Sequence, residues 1–330
     1  MIILQSEVDV YIVQKQTTWE RYTQRPLNVD FFDYLERDGQ THQPLRFAHE
    51  EHLKSRKTLV ESLEKHSLTY KIFNLDEIAQ NNICFFNENC SQSGLRPNRK
   101  LVISLGGDGT LLHASHHLGA DIILLGINSC PEHSVGHLCP ISPKYIDKAI
   151  ECFVNNEFKT KSIRRLKIET SHKQNLPLAL NDVLLCNRHP AATSRYQISV
   201  CAENGMKEIE SEKQLSSGLW VASAAGSTAA ISAYGFKKSD INSKEIHVAV
   251  REPYNPRHEV LKMKKFTLNG DKNSLSFFSR MRQGLVCVDG PDFCTHLGFG
   301  DSVHISLPEE CSLKLILDFL GKVPTFSFDK

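Results

Sequence analysis

No stretch of the sequence approaches the roughly 20 consecutive apolar residues that a membrane-spanning helix requires, so no helical span is expected. Charge of one sign is also missing. The chain carries 39 Lys and Arg against 38 Asp and Glu, a net charge of +1, and no long basic run breaks that balance. Nucleic acid is therefore not an expected partner. Ten cysteines, at 84, 90, 130, 139, 152, 186, 201, 287, 294 and 311, include no C-x-x-C pair and no finger-like spacing. They read as reduced thiols of a cytosol-like compartment. Repeats and low-complexity tracts are absent. The apolar run at Ile2-Ile3-Leu4 is too short for a secretion signal, and Glu7 and Asp9 stand where an organellar presequence is basic. The last residues, Ser327 to Lys330, are not a peroxisomal address. A cytoplasmic protein is the expectation.

What the chain does have is enough material for two domains: 330 residues, of which 40% are hydrophobic and 23% charged. The first half alternates apolar runs with helix-length segments. Strands are predicted over 8–13, 69–73, 101–105 and 122–127, a helix start near Thr18, a helix over 48–66, and a loop over 81–98. A further amphipathic helix is predicted from Pro143 to about Phe153, with Ser142 as its cap. Beyond residue 160 short alternating runs take over, at 163–169, 196–201, 246–250 and 285–288, and predict a β-rich domain.

The chemistry concentrates after the strand at 101–105. Gly106, Gly107, Asp108, Gly109 and Thr110 follow it directly, and a helix is predicted from about Leu111 to Leu118. Strand, loop, helix and the next strand make a βαβ unit, and in such parallel sheets ligands bind beyond the carboxyl ends of the strands. Glycines can take positive φ and let backbone N–H groups approach a phosphate, while the helix N-terminus favours the same anion. Asp108 cannot bind phosphate itself, since like charges repel. Its expected roles are to orient or deprotonate an attacking hydroxyl, or to hold a metal. No Gly-Lys-Ser/Thr follows, so the loop is not a Walker loop, and it is not a dinucleotide fingerprint either. A kinase acting on an alcohol is the expectation; the alternative is a Gly-rich turn carrying a solvated acid.

The Gly-Gly-Asp-Gly-Thr of 106–110 resembles the hallmark of the NAD kinase, diacylglycerol kinase and phosphofructokinase superfamily, and alone it does not choose among them. Three later segments do: Gly126 to Cys139, Ala179 to Val183, and Ser216 to Ala229. In that order they resemble the NAD(H) kinases of the mitochondrial and plant-peroxisomal subgroup. The resemblance runs from about residue 100 to 300. It implies an α/β N-terminal domain with a parallel sheet, residues 1–160, completed by about 305–330, and a β-rich NAD-binding domain, residues 161–304. It also implies ATP-dependent phosphorylation of the adenosine-ribose 2′-hydroxyl of NAD or NADH, with Mg²⁺ carried by ATP, and a homodimer or larger assembly.

Residue by residue, the resemblance makes Asp108 the catalytic acid–base and Gly106, Gly107, Gly109 and Thr110 the ATP-phosphate loop. It assigns Asn128, Asn181, Asp182, Ser217, Gly226, Ser227 and Thr228 to NAD. Each has a plainer reading beside that one. Asn128 and the Asn181-Asp182 pair are turn formers as often as ligands, and Ser227 or Thr228 can cap a short helix. The family usually has Asn-Glu at 181–182, and many members have Tyr at 230 and Asp at 217, where this chain has Asp182, Ala230 and Ser217. His113, His116 and His117 can share a helix face, and His133, His137 and Cys139 lie close in sequence, yet neither group is expected to hold zinc. The remaining alternatives are a lipid or sugar kinase of the same superfamily, and a non-catalytic dinucleotide sensor.

Overall fold

The computed structural model describes residues 2–3, 8–24, 39–81, 83–85, 100–174, 176–202, 207–256 and 260–324. Most of the loop expected over 81–98 lies outside the described residues. The chain divides into two compact units, Met1–Lys161 with Lys314–Lys330, and Ser162–Leu313.

In chain order the first unit contains β1 (Ile2–Ile3), β2 (Val10–Gln14), α1 (Thr18–Gln24), α2 (Gly39–Lys65), β3 (Tyr70–Asn74), α3 (Leu75–Asn81) and β4 (Ile83–Cys84). It continues with β5 (Leu101–Gly106), α4 (Asp108–Ser115), β6 (Ile123–Asn128), α5 (Ile146–Val154) and β7 (Lys159–Ile163). The last strand of the chain, β19 (Leu313–Asp318), joins the same sheet, whose order is β3-β2-β5-β6-β19-β7. Pairing from β3 through β19 is parallel. Every residue of β5 and β6 is buried, as continuous apolar strands covered on both faces must be. Alternate residues Leu101, Ile103, Leu105, Ile123, Leu125 and Ile127 pack with Leu59 and Leu63 of α2 and Ile146, Ala149 and Ile150 of α5. At the start of α1, Thr17 and Glu20 form a capping box. The Glu20 carboxylate accepts from Thr17 N–H at 2.8 Å, and Thr17 Oγ1 accepts from Glu20 N–H at 3.2 Å. α2 begins well before residue 48, running past Pro44. The segment after Ser142 opens as a 3₁₀ turn, Pro143–Tyr145, before α5.

The second unit contains β8 (Lys167–Thr170), β9 (Asp182–Asn187), β10 (Ser194–Ala202), β11 (Glu208–Ser216), β12 (Gly218–Ala222), β13 (Glu245–Arg251) and β14 (Lys265–Asn269). β15 (Asn273–Ser279), β16 (Gly284–Val288), β17 (Phe293–Leu297) and β18 (Ser302–Ser306) follow. They form two antiparallel sheets, ordered β11-β10-β15-β18-β8 and β14-β13-β12-β9-β16-β17. Val183, Leu185, Leu219, Val221, Val248 and Val286 of one sheet share a core with Tyr196, Ile198, Leu275, Phe277, Val303 and Ile305 of the other. The alternation that marks these strands in the sequence is the alternation of that inner face with the outer one.

The expectation of uniformly reduced cysteines is corrected here: Cys287 and Cys294 form a disulfide. The hairpin of β16 and β17 sets them directly opposite one another, a juxtaposition decided by strand register that no short Cys spacing reveals. The seven other described cysteines are free.

Candidate functional site

In the first unit the Gly-rich loop leaves β5 at its carboxyl edge. Gly107 caps α4 with extended backbone (φ −107°, ψ −169°) and no side-chain bond, so Asp108 is the first helical residue. The helix thus starts before Thr110 and ends at Ser115, earlier than the sequence suggests. None of Gly106, Gly107 and Gly109 adopts positive φ. Space is what requires the first two. A Cβ on Gly106 would stand 2.2 Å from Thr110 Oγ1, and one on Gly107 would stand 2.5 Å from Ser134 Oγ. Gly109 meets nothing within 4 Å and is exposed. Thr110 is buried, its hydroxyl turned toward Gly106.

The Asp108 carboxylate is half-buried and held from one side. His137 N–H donates to its Oδ2 at 2.7 Å and Leu138 N–H to its Oδ1 at 2.8 Å. The fully buried Cys139 thiol adds a third bond; burial first, and the Asp108 charge second, push that thiol well above its usual pKa. All three donors belong to the loop after β6, which Asn128 shapes. Its Nδ2 donates to Ser134 carbonyl at 2.9 Å, and its Oδ1 accepts from Cys130 N–H at 3.3 Å. Gly136 (φ +70°) lets the loop fold onto that amide, since a Cβ there would lie 2.5 Å from Asn128 Nδ2. Asn128 is 1% exposed. Both ends of its amide are engaged in building the loop that grips Asp108.

A second polar cluster at the same sheet edge was not legible in the sequence. Ser129 N–H donates to Gly106 carbonyl at 3.0 Å, Ser55 Oγ donates to Ser129 carbonyl at 3.0 Å, and His52 Nδ1 lies 3.0 Å from Ser129 Oγ. Burial, then the charge of Lys15, push His52 down to about 4, so its imidazole is neutral at pH 7. The clue available in advance was position alone: Lys15 follows β2 and Ser129 follows β6, both at carboxyl ends of parallel strands.

Of the histidines singled out in the sequence, His137 gives its backbone N–H to Asp108. His113 stacks on His117 with ring centroids 5.9 Å apart and lies 6.2 Å from His116. His117 Nδ1 lies 3.0 Å from Ile83 carbonyl, and burial pushes it down to about 4. His133 packs edge-on against Phe47. No group of three His, Cys, Asp or Glu among the described residues could hold a metal.

In the second unit Asn181 precedes and Asp182 opens β9, a central strand between β12 and β16. Asp289, which the sequence reading missed, organises them. Its carboxylate accepts from Leu180 N–H (2.8 Å), Asn181 N–H (2.8 Å) and Asp182 N–H (2.9 Å). Asp289 adopts φ +48°, a left-handed geometry that a short polar side chain tolerates. Asp182 itself is buried, and desolvation first, then the Asp289 charge, push its carboxyl up to about 7. Asn181 Oδ1 is buried with no donor among the described residues. Gly226 packs directly onto this strand entry, a Cβ there falling 2.1 Å from Asn181 carbonyl oxygen. Ser223 N–H donates to the same oxygen at 2.9 Å. Ser227 is buried in a 3₁₀ turn, Ala225–Thr228, and its Oγ accepts from Ser239 N–H at 3.1 Å.

Asn181, Asp182, Gly226, Ser227 and Thr228 are therefore brought into one neighbourhood. Ser217 is not. Asp182 pairs with Ala222 at one end of β12, whereas Ser217 precedes Gly218 at the other and donates to Glu252.

A Gly-rich strand-to-helix loop presenting one oriented carboxylate at a parallel sheet's carboxyl edge is the framework of a phosphotransferase. Residues 33–158 match the family described as ATP-NAD kinase N-terminal domain. A probable NADH kinase of Oryza sativa subsp. japonica is 32% identical over 235 residues, spanning 66% of this chain and 70% of that protein. Two solved structures share the fold. An NAD kinase from Archaeoglobus fulgidus in complex with ATP superposes with a TM-score of 0.59 at 17% identity, covering 93% of this chain and 92% of that one. Yeast NADH kinase complexed with NADH gives 0.57 at 16% identity, covering 94% and 84%. The chain belongs to the NAD kinase family.

Proposed function

We propose that this chain transfers the γ-phosphoryl group of ATP to the 2′-hydroxyl of the adenosine ribose of NAD or NADH, giving NADP or NADPH. The observation that carries the reading is the held carboxylate of Asp108. An ionised carboxylate offers about four acceptor positions. Two backbone N–H groups and the Cys139 thiol occupy three of them, which leaves one for a substrate hydroxyl. An aspartate is a weak base at neutral pH, so its contribution is alignment first and proton acceptance late in a loose transition state. Gly109, open and at the start of α4, suits close approach of phosphate oxygens to the backbone.

Magnesium fits this site as a companion of ATP. It needs no protein cage, and with the one open position of Asp108 given to the substrate hydroxyl it would be held chiefly by the phosphate oxygens. When bound it neutralises charge on the phosphoryl oxygens.

In the second unit the dinucleotide site of this proposal is Asn181, Asp182, Gly226, Ser227 and Thr228. Asn181 Oδ1 is a buried acceptor with no donor among the described residues. With its carboxyl near 7, Asp182 can either accept from or donate to a ribose hydroxyl. The expectations of a homo-oligomer and a cytoplasmic location belong to the proposal as well; no helix among the described residues is long and apolar enough to cross a membrane.

The test is product formation by the purified protein given Mg-ATP with NAD and with NADH separately. NADP or NADPH formation supports the proposal. Dinucleotide binding without product would overturn it in favour of a sensor.

A further inference from the structure

The Gly-rich loop contains no cation, unlike a Walker loop, although a triphosphate brings a concentrated negative charge. The fold supplies one from the neighbouring strand. β2 and β5 run parallel with Gln14 opposite Leu105, so Lys15 leaves β2 at the carboxyl edge where β5 runs into the Gly-rich loop. We propose that Lys15 is the phosphate-binding cation of the transfer site, its ammonium holding the terminal phosphates of the nucleoside triphosphate. The inference rests on the phosphotransferase reading above and adds a residue to it.

Three observations support the assignment. First, Lys15 is half-buried, and burial lowers its pKa from the usual lysine value, with the Cys130 thiol acting weakly in the other direction. Second, no carboxylate among the described residues forms an ion pair with it. Glu20, on α1, is engaged by Thr17 N–H and Thr17 Oγ1 at 2.8 and 3.0 Å, and Glu51, on α2, faces Lys54 at 3.4 Å. Third, the two groups electrostatically coupled to it, His52 and Cys130, bring no negative charge at pH 7. His52 is pushed down to about 4, and burial raises the Cys130 thiol. A partly desolvated ammonium without a counter-charge is costly unless an anion arrives to pair with it. The chain from Ser129 N–H to Gly106 carbonyl, with His52 beside the Ser129 hydroxyl, fixes the loop next to that charge.

The experiment compares wild type, Lys15→Gln and Lys15→Arg in steady-state kinetics, with calorimetric binding of Mg-AMP-PNP and of NAD, and thermal melting. For Lys15→Gln the KM for ATP rises and Mg-AMP-PNP affinity falls by about tenfold or more, the loss typical of one hydrogen bond between charged groups. The KM and affinity for NAD stay within about twofold, melting is unchanged or raised because an unpaired buried charge is gone, and Lys15→Arg recovers part of the loss. Wild-type ATP parameters in Lys15→Gln overturn the inference and leave the kinase reading standing. Parallel loss of ATP and NAD affinity with a lowered melting temperature also overturns it, by making Lys15 structural. A wild-type protein that forms no NADP or NADPH, yet binds Mg-AMP-PNP in a Lys15-dependent way, sinks the kinase reading and keeps the inference.

Discussion

Asp108→Asn, the natural way to remove the acid at the Gly-rich loop, also removes a structural tie. The carboxylate receives two short backbone bonds, from His137 N–H at 2.7 Å and Leu138 N–H at 2.8 Å. An amide has one oxygen for them and would turn its NH₂ against the other backbone N–H. One charge-assisted bond is lost and the survivor loses its charge assistance. At about 1.5–3 kcal/mol for a hydrogen bond to a charged group, the net loss should be about 2 kcal/mol. A domain of 150–250 residues melts about 2–4 °C lower for each kcal/mol lost, so the first unit should melt about 6 °C lower. Hydrogen exchange resolved at the amides of 137 and 138 should accelerate, while amides in β5 and β6 keep their protection relative to global unfolding. Turnover should fall far more than 2 kcal/mol of lost stability explains, because folded molecules still lack the acceptor for the substrate hydroxyl. Cys139→Ala is the control, since it leaves both backbone bonds and the carboxylate in place. Unchanged melting together with unchanged exchange at 137 and 138 would refute the claim that Asp108 is held by this loop.

Two further outcomes follow from the second unit. Asp182 has its carboxyl raised to about 7, against roughly 3.9 in the unfolded chain. Between those values the unfolded chain has lost a proton that the folded chain keeps, so this group makes stability fall as pH rises from about 4 to about 7, by up to roughly 4 kcal/mol. Asp182→Asn should abolish that fall. In urea titrations the variant's advantage over wild type should grow from pH 4.5 to pH 7 and then level off, and parallel curves would contradict the buried-acid assignment. Gly226→Ala would place a Cβ 2.1 Å from the Asn181 carbonyl oxygen and 2.7 Å from its carbon, backbone atoms that no rotamer change can move aside. About 1–3 kcal/mol of stability or more should be lost, along with NAD affinity, and a variant that melts and binds NAD normally would show that the strand entry has slack.

The central strands were readable because parallel strands covered on both faces are continuous apolar runs, as 101–105 and 122–127 are. α4 was placed late because Thr110 looks like a helix opener, whereas Gly107 supplies the extended residue that lets Asp108 begin the helix. β11 escaped notice for a different reason. Glu208, Glu210 and Glu212 recur at alternate positions of an exposed edge strand, and no continuous apolar run marks it. Asp289 was invisible as a partner of Asn181 and Asp182 because 108 and 107 residues separate them; only the pairing of β9 with β16 brings the carboxylate to those amides. The same holds for the Cys287–Cys294 bond, which depends on register. Motifs located the candidate residues, but which of them face a ligand and which build the loop that faces it is a property of long-range pairing. Asn128 shows the difference, since turn chemistry and ligand chemistry use the same amide.

Asp108 and Asp289 use one device to different ends. Each gathers backbone N–H groups from a segment remote in sequence, as a short side chain with two acceptor oxygens is suited to do. Asp289 takes three such groups in succession, Oδ2 serving residue 180 and Oδ1 serving both 181 and 182, and the geometry pins the entry to β9. Asp108 takes one backbone bond on each oxygen, both from the loop after β6. It also stands at the first position of a helix, beside a glycine with open space around it. Fixed orientation is what an acceptor for an attacking hydroxyl needs. A carboxylate so arranged gains its effect from being immobile. Asp108→Glu should therefore recover little of the activity lost in Asp108→Ala despite keeping the charge, because the extra methylene moves the oxygens off the two N–H groups that aim them.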